Sequence, residues 1–123
     1  MTDTKLLGRF GEDTAAEYLR KNGYRILGRN FRTRLGEIDV IASKGNYVVF
    51  VEVKLRKDAR FAEAREFVTR TKQQRIIATA QLWLQWHANA RQPRFDVIEV
   101  YAPQGTDTVK PEIRHWENAF TAD

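Results

Sequence analysis

Leu7, Phe10, Ala15, Tyr18 and Leu19 recur at helical spacing, which predicts a first helix over residues 5 to 22, with Asp3 or Thr4 as its cap and Gly23 as its stop. Tyr24 to Asn30 then reads as a short strand, and the basic stretch Arg32 to Gly36 as a turn. A second strand is expected from Glu37 to Ser43. After the turn signal Lys44-Gly45-Asn46 the chain returns as Tyr47 to Leu55, dense in β-branched and aromatic residues, which predicts a hairpin. Apolar residues on both parities of Tyr47 to Leu55 place it in the middle of a sheet covered on both faces, up to its charged end.

Lys57 to Arg70 mixes helix formers without a clean apolar face and is expected to be a loop that orders on binding. From about Thr71 to Ala90, residues Ile76, Ile77, Ala80, Trp83, Leu84 and His87 fit a second amphipathic helix. Pro93 ends the connection, Phe95 to Tyr101 is a fourth strand, and Gly105 turns the chain toward an edge strand around Glu112 to Trp116. Strands interrupted by a helix argue for an α/β fold with a mixed sheet flanked by helices. The whole chain, 1 to 123, is expected to be one domain, with a core over about 5 to 101 and a C-terminal appendage over 102 to 123.

Charge changes this picture more than composition does. The formal net charge is +5. Arg20, Lys21, Arg25, Arg29, Arg32 and Arg34 follow one another without an intervening acid, and Lys54 to Arg75 carries eight basic residues against three acidic ones. A solvated basic face is the plain reading, and contact with a nucleic-acid backbone is the functional one. There is no cysteine, so a metal would have to sit on oxygen or imidazole. No signal-peptide pattern or membrane-length apolar run is present, and a cytoplasmic protein without membrane association is expected.

Aspartate is disfavoured in the middle of a strand, which draws attention to Asp39. Strict alternation puts residues 37, 39 and 41 on one face and Ile38, Val40 and Ala42 on the other. Glu52 and Lys54 share a face of the partner strand with Val48 and Phe50, so Asp39, Glu52 and Lys54 can converge in the right register. Two close carboxylates repel unless a cation intervenes, and magnesium takes one or two protein carboxylates beside water and phosphate oxygens. The same spacing equally fits a salt bridge on a solvated sheet face.

Glu12 falls on the inward stripe of the first helix with Gly8, Ala15, Ala16 and Leu19, where it needs a metal or a basic partner. Glu37 and Asp96 are secondary candidates. His87 and His115 make no ligand pair, and Trp83 and Trp86 read as helix packing in preference to base-stacking platforms. No glycine-rich phosphate loop or Ser-His-Asp arrangement occurs.

Gly36-Glu37-Ile38-Asp39 followed by Val49-Phe50-Val51-Glu52-Val53-Lys54-Leu55-Arg56 resembles the PD-(D/E)xK nuclease signature. Together with Gly8-Arg9-Phe10-Gly11-Glu12, Gly23-Tyr24, Arg29-Asn30-Phe31 and Arg94-Phe95-Asp96-Val97, the pattern from about residue 8 to 101 resembles the YraN-like family of small bacterial proteins. Ile38 stands where the signature has proline.

The resemblance implies the αβββαβ core of restriction-endonuclease-like folds, akin to Holliday junction resolvases. It implies Asp39, Glu52 and Glu12 as metal-binding positions, Lys54 as the catalytic lysine, and Lys72 as a phosphate contact. The expected activity is hydrolysis of DNA phosphodiester bonds with Mg2+ or Mn2+, with branched structures as candidate substrates and DNA preferred to RNA as partner. Arg32, Arg34, Arg56 and Lys72 would hold the backbone, and a homodimer is compatible with such folds. The competing expectation is a non-catalytic nucleic-acid-binding module that recruits DNA-processing partners. An RNA- or ribosome-associated protein is a third.

Overall fold

The computed structural model describes residues 4–57, 68–88 and 91–122. The elements run α1 (Thr4–Lys21), β1 (Arg25–Thr33), β2 (Gly36–Lys44), β3 (Tyr47–Arg56), α2 (Arg70–Trp86), β4 (Gln92–Tyr101), a short 3-10 turn (Gly105–Asp107) and β5 (Glu112–Phe120). The αβββαβ order expected from the sequence is the order observed. The sheet is mixed, in the order β1-β2-β3-β4-β5, with β3 and β4 parallel and the other neighbours antiparallel.

Local chemistry explains the boundaries. At the end of α1 the Gly23 amide donates to the Arg20 carbonyl at 3.1 Å and the Tyr24 amide to the Leu19 carbonyl at 2.9 Å. This closing motif requires a left-handed residue, and Gly23 supplies it with φ of 85°. At the other helix, the Thr69 side-chain oxygen accepts from the Lys72 amide at 3.1 Å and fixes the start of α2 at Arg70. The expected loop over 57 to 70 lies mostly outside the described residues, and its last residues prove to be this cap.

Each sheet face has its own core. Leu19, Ala15, Val40, Ala42, Val49, Val51, Ile98 and Val100 pack together under α1. On the other face Ile76, Ala80 and Trp83 of α2 close over Ile38, Ile41, Val48, Phe50, Phe95 and Val97. Phe50 and its neighbours on β3 are fully buried, as its dense apolar run predicts, and each such side chain contributes roughly 1.5–3 kcal/mol by leaving water.

Two expectations about extent change. β1 continues to Thr33, so the turn shrinks to Arg34 and Leu35, with the Leu35 amide bonded to the Thr33 hydroxyl at 3.0 Å. The edge strand expected around Glu112 to Trp116 within the C-terminal appendage is observed as β5 and runs on to Phe120, which stacks on Phe95. No helix among the described residues is long and apolar enough to cross a membrane.

Candidate active site

The site forms where β2 parts from β3. Their ladder ends at the Val40–Val51 pair, and the next residue outward on β2 is Asp39. Its Oδ2 accepts from the Val53 backbone amide at 2.8 Å, so a side chain takes over where the main-chain ladder stops. Alternation also fails here. Val40 and Ala42 face α1 while Ile38 packs under α2, which corrects the expectation that these three share one face. The paired strand β1 carries the physical cause: Asn30 is left-handed, with φ of 53°, and lies between Arg29, opposite Val40, and Phe31, opposite Ile38. That kink lets both strands switch faces together.

Glu52 projects from β3 on the α2 side and is only 6% exposed. Lys72, in the first turn of α2, reaches it with Nζ 3.1 Å from Oε1, and Lys54 Nζ lies 3.9 Å from the same oxygen. Asp39, Glu52, Lys72, Arg32, Arg75 and Glu37 line a cavity of about 510 Å³ between β2 and the start of α2. Lys54 borders this group through Glu52 without lining the cavity.

Electrostatics in the cavity follow from crowding. Burial, then the Glu52 charge and its hydrogen bond with Asp39, push the Asp39 carboxyl up to about 8, against the Val53 amide, which favours its charged form. Burial and the neighbouring Lys72 charge lower the Lys54 ammonium, with Glu52 opposing. For Lys72 burial also works against the charge, but Glu52 outweighs it and the ammonium is held above its ordinary value.

The remaining predicted residues are dispersed around this centre. Glu12 stands on α1, 3.6 Å from Arg29, and its carboxyl is raised by burial while Asn30 and Arg29 pull it down. Its charge reaches Asp39, yet among the described residues no three Asp, Glu or His side chains group closely enough to hold a metal ion. Arg32 lines the cavity and pairs with Glu37 at 3.2 Å. Arg34 is exposed in the β1–β2 turn. Arg56 turns toward the buried Glu99, 4.0 Å away, and does not line the cavity.

Arg75, Thr69 and Thr71 also border the cavity. The sequence held a signal for them in the Thr69 cap, hidden by the ambiguous composition before it. Asp96 lies fully buried on the opposite sheet face, bound by Arg94 at 2.8 and 2.9 Å, by His115 at 2.6 Å and by the Asn118 amide at 3.0 Å. His87 stacks on Trp83, with ring centroids 4.3 Å apart, and Trp86 packs edge-on against Phe31.

Chemically, Asp39 and Glu52 offer oxygen ligands at one place, where burial and the Glu52 charge disfavour ionisation of Asp39 and a cation would favour it. The Lys72 ammonium already stands in for such a cation on Glu52, so the donor set fits a hard divalent ion taking two protein carboxylates.

Residues 11–100 match the model of the uncharacterised protein family UPF0102. A UPF0102 protein of Caldicellulosiruptor saccharolyticus is 49% identical over 115 residues, covering 93% of this chain and 96% of its own length. A UPF0102 protein of Caldanaerobacter subterraneus is 44% identical over 117 residues, covering 94% and 95%. One of Rhodococcus opacus is 40% identical over 121 residues, covering 98% and 100%. The chain belongs to the UPF0102 family.

Proposed function

We propose that this UPF0102 protein is a divalent-metal-dependent phosphodiesterase of the restriction-endonuclease-like type that acts on nucleic acid, with DNA preferred to RNA. The observation that carries the reading is the meeting of Asp39 and Glu52, beside Lys72, at the wall of a cavity rimmed by Arg32 and Arg75. Asp39 and Glu52 would hold Mg2+ or Mn2+, which when bound supplies polarisation of a phosphate oxygen and acidifies water.

The chain's own groups account for the rest. Arg32 and Arg75 bind phosphates and set the register of the backbone in the cavity. Lys54, whose Nζ lies 3.9 Å from Glu52, is the group suited to orient or deprotonate attacking water, or to stabilise the developing charge. Lys72 keeps its charge and stabilises negative charge that builds on the phosphate. Glu12 acts from α1 through its field on Asp39.

The test is a cleavage panel of linear, flapped and four-way-junction DNA and RNA, with and without manganese. Metal-dependent cleavage should fall by about 10²-fold or more in Asp39→Asn and Lys54→Met while both variants still bind DNA. Undiminished cleavage by either variant refutes the assignment.

A second reading is a nucleic-acid-binding module that does not cut. The observation favouring it is that, among the described residues, no third acidic or histidine side chain lies close enough to Asp39 and Glu52 to complete a metal-holding group, although Glu37 lines the same cavity. DNA binding without cleavage of any substrate in the panel selects it.

A further inference from the structure

Lys72 was expected only as a contact for phosphate, yet its ammonium points inward, to the buried carboxylate of Glu52. The 3.1 Å separation is within hydrogen-bond reach and closer than the 3.9 Å of Lys54 to the same oxygen. Glu52 is almost wholly buried, whereas the Lys72 side chain is 43% exposed and stands on the first turn of α2. The carboxylate is thus fixed in β3 and the amine is the partner free to swing out along the cavity wall. We propose that Lys72 is the built-in counter-ion of the acidic pair, and that an entering divalent cation displaces its ammonium from Glu52.

This rests on the reading of Asp39 and Glu52 as a metal site and adds a coupling to it. A divalent ion on Glu52 repels an ammonium held 3.1 Å from the same carboxylate, so metal entry favours departure of Lys72. The released amine lies in the same cavity as Arg32 and Arg75, where it adds a positive charge for a phosphodiester. Acidic pair and phosphate site are then filled in concert. Without metal, Lys72 neutralises Glu52 and is withheld from nucleic acid.

The test is calorimetric titration of Mn2+ into the full chain and into Lys72→Met and Arg75→Met, with circular dichroism confirming that each is folded. Arg75→Met removes a cation from the same cavity without touching a partner of Glu52. The proposal predicts that Lys72→Met binds Mn2+ about tenfold more tightly than the parent, the scale of one charge-assisted bond that no longer has to break. Arg75→Met should change affinity less than threefold. Unchanged or weaker binding by Lys72→Met, or equal gains in both variants, overturns the counter-ion role alone. If neither the parent nor Lys72→Met binds Mn2+ at millimolar concentration, the metal-site reading falls and the coupling with it. Should Lys72→Met not fold, Lys72→Gln gives the same comparison with a polar side chain.

Discussion

The Asp39 carboxylate receives the Val53 amide at 2.8 Å, one residue beyond the last β2–β3 pair. This contact lets the two strands separate without leaving a buried N–H unpartnered, and in the gap it holds Asp39 next to Glu52. The same residue therefore ends a ladder and opens a site. Its repulsion with Glu52 is a cost that the fold carries and that a cation would relieve.

That cost should be visible as pH-dependent stability. The folded-state carboxyl is raised to about 8 from an ordinary 3.8, so its contribution is fully present below about pH 3.8 and is lost as pH rises toward 8. Asp39→Asn keeps an oxygen for the Val53 amide and removes the titration. In thermal melts without metal, the Tm of Asp39→Asn relative to the parent should be higher at pH 9 than at pH 5. A difference independent of pH contradicts the assignment.

Gly36 sets the distance between β2 and α2. A Cβ there would meet the Thr79 hydroxyl at 2.9 Å, the Arg75 carbonyl at 3.1 Å and the Arg75 Cβ at 3.2 Å. Backbone cannot yield as a flexible chain end does, so Gly36→Ala should cost about 1–3 kcal/mol and move Lys72 and Arg75 away from Asp39. Calorimetric melting should show a Tm lower by about 5 °C or more. An unaltered Tm would mean that α2 is not seated as described.

Much of this was legible in the chain. The Leu7 to Leu19 periodicity with its Gly23 stop, and the apolar run Tyr47 to Leu55, fixed α1 and β3 to within a residue. Alternation could not reveal that Ile38 leaves the face of Val40, because the cause is a left-handed Asn30 on another strand and is not local to β2. Glu52 was legible as a charge on a core face, and Lys72 only as a basic residue at the start of α2 that the resemblance made a phosphate contact. Its inward turn depends on how α2 lies across the sheet, which no local pattern encodes.

Asp96 provides a control remote from the cavity. Its charge is held by His115, Arg94 and the Asn118 amide against burial, which keeps its carboxyl below the ordinary 3.8. The stability it contributes is present above about pH 3.8 and is lost as pH falls through its lower folded value. Asp96→Ala leaves Arg94 and His115 facing an empty position and should destabilise by about 3–5 kcal/mol in urea unfolding. Mn2+ affinity of the folded variant should be unchanged, and a loss comparable to that in Glu52→Gln would contradict the separation of the two sheet faces.

Arg32 tests the rim. As a backbone contact it should weaken DNA binding evenly across sequences when replaced by alanine, and lower the salt-dependence slope by about 1. Fluorescence anisotropy at several salt concentrations measures both. A sequence-selective loss, or an unaltered slope, would show that Arg32 serves only its pair with Glu37.

Whether Asp39 and Glu52 seat a divalent ion is read straight from anomalous diffraction by a crystal soaked in millimolar manganese. One strong peak is expected within about 2.5 Å of an oxygen of each residue, with the Lys72 ammonium moved off Glu52. A map with no peak between these two carboxylates, or with manganese only elsewhere on the surface, would contradict it.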